Sequence, residues 1–155
     1  MEGEEVKQPI KRTNTRVLLG KLYYTIKRYK EWYFGDNKWA SEKLDELLEY
    51  VFFNHKTPLL RKLKDVDMWM QYNKIKNLQL ATQKLHKVII RPGETLSYWR
   101  LVGKPTRNKG YLEGMVLSNG QIISGVGGGL CQLSNLIYWM SLLLNILAKM
   151  VSFLK

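Results

Sequence analysis

MVLSNGQIISGVGGGLCQLSNLIYWM, residues 115–140, decides how the rest of the chain is read. Two short apolar runs flank Ser118-Asn119-Gly120, the pattern of a β-hairpin closed by a tight turn. The second run passes into Ser124-Gly125-Val126-Gly127-Gly128-Gly129, where no side chain enforces either strand or helix. Helical spacing then returns at Leu133, Leu136, Ile137, Met140, Leu144 and Leu147. Strand, glycine turn and helix thus meet at Cys131, the chain's one cysteine.

That junction carries the chemistry. Glycines let successive N–H groups point into one concavity, and a helix N-terminus adds unpaired donors and a positive partial charge. Such a setting activates many nucleophilic cysteines, and its amides can hold an acyl-transfer oxyanion. Cys131 is therefore the candidate nucleophile, with Gly127, Gly128 and Gly129 as turn and oxyanion residues. The competing reading is an inert cysteine buried as a small hydrophobe. A Walker phosphate loop is excluded because Leu130-Cys131, not Lys-Ser or Lys-Thr, follows the glycines. The dinucleotide pattern fails too, since its third glycine falls at Leu130. The two histidines, His55 and His86, belong to no catalytic pattern, and no ligand-type residues stand at chelate spacing. Neither a metal nor another cofactor is expected.

Upstream the chain reads as helical. Residues 1–13 form a polar leader without the apolar core of a signal peptide, which points to the cytoplasm or its membrane surface. Leu18, Leu22, Ile26, Tyr29 and Tyr33 mark one face of a helix starting at Asn14 or Thr15. A packed helix with a solvated basic face and one lying on an anionic membrane both fit. Ser41 opens a second expected helix on Leu44, Leu47, Leu48 and Val51. Thr57-Pro58 starts a third, and Ile75, Leu78, Ala81 and Leu85 mark one ending near His86. Strands are expected at residues 88–90 and 95–99, around the Arg91-Pro92-Gly93-Glu94 turn. The fold class is α+β: a helical region over 14–87, then a small antiparallel sheet and a long apolar helix over 88–155.

The 155 residues, 45% hydrophobic and 25% charged, suit one globular domain rather than a disordered tail or a collagen. A lone cysteine excludes an internal disulfide. The formal charge of +12 favours anionic partners: nucleic acid, acidic lipid or an anionic wall polymer. Residues 1–90 hold 18 basic against 11 acidic side chains, and residues 91–155 hold 7 against 2. The excess is thus spread out, and with no reader signature beside it, nucleic acid is not the expected partner.

The residues also resemble a known family. HKTPLLRKLKDVDMWMQYNK (55–74), RPGETLSYW (91–99) and GGGLCQLS (127–134) are similar to the VanW family, accessory proteins of B-type vancomycin-resistance clusters. The likeness runs over about residues 10–140 and is strongest from Pro92 onward. It implies a link to glycopeptide resistance and to peptidoglycan cross-linking of the L,D-transpeptidase type on stem peptides. Cys131 is then the nucleophile, Gln132 and Ser134 support its turn, and Glu94, Tyr98, Trp99 and Glu113 line the cleft. The family continues past its cysteine helix with a proline turn and a histidine-bearing strand. Here SLLLNILAKMVSFLK follows Met140, which reads as a truncated or frame-shifted tail without the general base, in which acyl transfer is impaired. A non-enzymatic scaffold that contacts membrane or cell-wall partners is the alternative. Leu130–Ala148 holds no charge, so the tail reads either as a minimal membrane span or as an exposed apolar end.

Overall fold

The computed structural model describes residues 12–51, 53–62, 67–118 and 120–153, with side chains described as far as residue 144. The leader expected over 1–13 falls almost wholly outside them. The element order is α1 (Asn14–Phe34), β1 (Lys38–Trp39), α2 (Met68–Leu85), β2 (Glu94–Thr95), α3 (Tyr98–Val102), a 3-10 turn (Arg107–Lys109), β3 (Glu113–Ser118), β4 (Gln121–Val126) and α4 (Leu130–Phe153). Helices and two small sheets mix in one chain, as an α+β reading requires.

The hairpin forms where its pattern placed it. β3 and β4 pair antiparallel from Glu113↔Val126 to Ser118↔Gln121, and Gly120 supplies the positive φ of 78° at the turn. The sheet order differs elsewhere. β1 joins β2 in parallel, Lys38↔Glu94 and Trp39↔Thr95, and Lys43 bridges Val88.

Four expected elements are corrected. No helix opens at Ser41. Leu44 N–H donates to Lys87 O and Ile89 N–H to Glu42 O, so pairing with 87–89 claims the backbone that a first helical turn needs. Leu47, Leu48 and Val51 are left exposed. No helix starts at Thr57-Pro58 either. The Pro58 carbonyl accepts from Gln132 Nε2 and the Leu59 carbonyl from Lys74 Nζ, so side chains of other elements use this backbone. The strand expected at 95–99 stops at Thr95. Tyr98 begins a helical turn, in which Leu101 N–H donates to Ser97 O and Gly103, at φ +71°, ends it. The expected strand at 88–90 is reduced to the single Val88 bridge.

The core is small: Leu78, Ala81, Val102, Tyr111 and Leu130, with Leu80, Leu85, Tyr98, Val126 and Leu133 partly buried around it. It packs α2 against α3, the hairpin and the start of α4. α1 buries none of its residues. α4 runs 24 residues from the glycine turn, and among the described residues no helix is long and apolar enough to cross a membrane. Tyr138, Trp139 and Leu144 on it are exposed.

Candidate functional site

The glycine turn is wedged between the hairpin and α2. Gly127 and Gly129 take positive φ of 79° and 89°, and Gly128 lies against the backbone of Gly114. The turn's amides are largely spent on the fold. Gly127 N–H donates to Leu112 O, Gly128 N–H to Gly125 O, Gly129 N–H to Met115 O, and Leu130 N–H to Gly127 O. Gln132 N–H donates to Gly129 O. The Cys131 N–H is absent from the turn's hydrogen bonds among the described residues. The glycines therefore shape the turn, and the cysteine's own amide is the donor it leaves open.

Cys131 is a free, exposed thiol in the first turn of α4. Ser134 Oγ donates to the Cys131 carbonyl at 3.0 Å and ties that turn. Gln132 Nε2 reaches Thr57 Oγ1 at 3.4 Å and draws the His55–Leu59 segment across it. Tyr98 Oη donates to Leu130 O at 3.3 Å. These three candidates gather at the thiol. Glu94 does not, because its carboxylate accepts from Arg91 N–H at 2.8 Å and closes the Arg91-Glu94 turn. Glu113 is held by Arg107 and accepts from Ser124 Oγ at 3.2 Å, on the hairpin. Trp99 stands edge-on to Tyr98 with ring centroids 5.0 Å apart. Tyr98 and Trp99 also line a groove of about 1080 Å³ between α1 and residues 95–105, with Arg16, Arg28, Arg100 and Lys104. Cys131 lies outside that groove. Both histidines are exposed, with His86 capping the end of α2 and His55 stacked on Phe53.

The titratable group beside the thiol was hidden from the sequence. Gln71, Lys74 and Asn77 are 2%, 6% and 0% exposed, a buried polar row on α2 facing the glycine turn. Lys74 Nζ donates to Leu59 O and, at 2.8 Å, to Gln71 Oε1, while its stem covers Gly129. Burial pushes the Lys74 ammonium below the usual lysine range; Arg61 acts in the same direction, and neighbouring Cys131 opposes them. Asn77 Nδ2 donates to Leu112 O and Gly128 O, both at 2.9 Å, and its Oδ1 accepts from Leu112 N–H at 2.8 Å. One signal existed: an asparagine mid-helix competes with helix formation, so it needs a compensating role.

Tyr98 offers a test of this packing. Burial, then nearby Tyr111 and Cys131, pushes its phenol up from 10.0 to about 12. Across that window the unfolded chain has lost a proton that the folded chain keeps, so this residue makes stability fall as pH rises from 10 to about 12. Lys74 has the opposite sign below 10.5, because its charged form is disfavoured by folding. Tyr98→Phe is expected to flatten the alkaline loss in urea midpoints measured on either side of pH 10. An unchanged slope would refute it.

The family model described as "VanW like protein" matches residues 73–150. The chain is 39% identical over 98 residues to "Vancomycin B-type resistance protein VanW" of Enterococcus faecalis, covering 63% of this chain and 36% of that protein. It is 37% identical over 62 residues to "Uncharacterized protein YoaR" of Bacillus subtilis, covering 40% of this chain and 20% of that one. The chain thus spans about a third and a fifth of the length of these relatives. No solved structure matches.

Proposed function

The chain belongs to the VanW-like family, and from that premise we propose that Cys131 performs acyl transfer on bacterial cell-wall stem peptides, an L,D-transpeptidase type of reaction in the setting of glycopeptide resistance. One observation carries the reading: an exposed thiol at a helix N-terminus whose own amide stays open while the neighbouring glycine amides are spent. The resistance link rests on the name of the E. faecalis relative.

The steps follow from this arrangement. Cys131 Sγ attacks a peptide carbonyl carbon; the C–S bond forms, the C–N bond breaks, and the thiol proton leaves on the departing amine. An acceptor amine, or water, then attacks the thioester carbon, and its proton returns to sulfur. The oxyanion of each tetrahedral intermediate meets the Cys131 N–H and the positive end of α4. Lys74, held by Leu59 O and Gln71 Oε1, stands alongside the thiol as a fixed cation. Tyr98 fixes the Leu130 carbonyl just before the nucleophile.

The test is to incubate the protein with a synthetic stem peptide and look for the acyl adduct by intact mass and peptide mapping. The expected result is an adduct on Cys131 with the peptide's mass less its leaving amine, absent from Cys131→Ser. If no adduct forms, and Cys131→Ser at equal abundance leaves the host's resistance unchanged, the protein acts instead as a non-enzymatic scaffold.

A further inference from the structure

We infer that α1 is a membrane-contact helix, seated on an anionic lipid bilayer by an outward apolar stripe with cations along both its borders. The sequence periodicity of Leu18, Leu22, Ile26, Tyr29 and Tyr33 is that of a helix burying one face, yet each of these residues is at least half exposed, as is Leu19. At about 100° per residue the six fall within a single stripe roughly a third of the helix circumference wide. The helix meets the rest of the chain mainly through another face, where Gly20, Tyr24 and Trp32 front the groove shared with residues 95–105; of the stripe only Tyr29 and Tyr33 reach its edge. Leu18, Leu19, Leu22 and Ile26 lie outside that groove and are exposed. Six contiguous large apolar side chains go beyond the scattered exposure of an ordinary surface.

Charge selects the occupant. Arg16, Lys27 and Lys30 border the stripe on one side, and Lys21 and Arg28 on the other. The helix's one carboxylate, Glu31, lies 3.7 Å from Arg28 and so is already engaged. An apolar face edged by lysines, arginines and tyrosines is the pattern of helices that lie in a lipid interface. Two copies packed stripe to stripe would instead bring these cations together, in a chain already carrying +12. The inference is independent of the chemistry at Cys131.

Co-sedimentation of the full chain with vesicles tests it. Equimolar phosphatidylglycerol and phosphatidylcholine vesicles are expected to bind the protein, and pure phosphatidylcholine vesicles to bind it at least about tenfold less, with binding weakened by salt. Leu18→Asp with Leu22→Asp, and separately Lys27→Glu with Lys30→Glu, are each expected to lower binding about tenfold or more. None of these residues is buried, so far-UV circular dichroism is expected to stay that of the parent chain. Equal binding to both vesicle types, or undiminished binding by the leucine variant, overturns the inference. So does a dimer that Leu22→Asp splits while neither vesicle binds, which would assign the stripe to a second copy.

Discussion

Gly128→Ala is expected to lower the stability of the fold sharply. A Cβ at this position would meet the Gly114 carbonyl carbon at 2.1 Å and its oxygen at 2.2 Å, both backbone atoms of β3. A crowded side chain can rotate away, but a strand held by six registered pairs cannot. The cost is at least about 3 kcal/mol, the upper range for overpacking. That is a large part of the whole stability of a domain this size. Urea unfolding monitored by tryptophan fluorescence reads it directly. A midpoint equal to that of the parent chain would show that the turn does not press on the hairpin. The same experiment separates shape from chemistry, because Cys131→Ser changes neither contact and is expected to keep its midpoint.

Asn77→Ala comes next. The side chain is fully buried and serves three backbone groups, Leu112 N–H, Leu112 O and Gly128 O. Alanine leaves Leu112 N–H and Gly128 O unpaired, while Leu112 O keeps the Gly127 N–H, at about 1 kcal/mol or more per orphaned group, for a loss of about 2 kcal/mol. Stability alone would not distinguish this from a packing defect. Hydrogen exchange does: the Leu112 amide is expected to lose its protection by more than the amides of the hairpin's middle. Retained protection at Leu112 would mean that Asn77 is not its acceptor.

These residues also show what could be read from the sequence and what could not. The hairpin at 113–126 was legible because its signals are local: two apolar runs and a Ser-Asn-Gly turn. The helix start at Leu130 was legible for the same reason, with glycines on one side and helical spacing on the other. The segment after Ser41 was misread because Glu42 and Leu44 bond to residues 87–89, and no local pattern encodes that pairing. The buried side of α2 was half visible. Leu78 and Ala81 lie inside as their spacing implied, but beside them lie Gln71, Lys74 and Asn77, which a hydrophobic period places outside. They are buried because carbonyls of distant segments receive them. In α1 the spacing was right for a helix, but it could not say whether protein or something else covers the stripe.

At the candidate site, Cys131, Gln132, Ser134 and Tyr98 were found from the glycine-to-helix junction and the family likeness, and the structure draws them together. Glu94 and Glu113 came in only through the family likeness, as cleft-lining residues, and each is engaged elsewhere. Lys74 was invisible for the reason that makes it interesting: its neighbours, Leu59 and the thiol, are brought to it only by the fold.

The polar row on α2 has a consequence for how the protein is made. Asn77 bonds to residues 35 and 51 positions further along the chain. On a ribosome this helix emerges well before the segments that will receive it, and contacts of such long sequence separation form slowly. An oily face held waiting that long would invite association with other nascent chains. Glutamine, lysine and asparagine remain comfortably wet in the interval, and lose their water only when the glycine turn arrives to replace it.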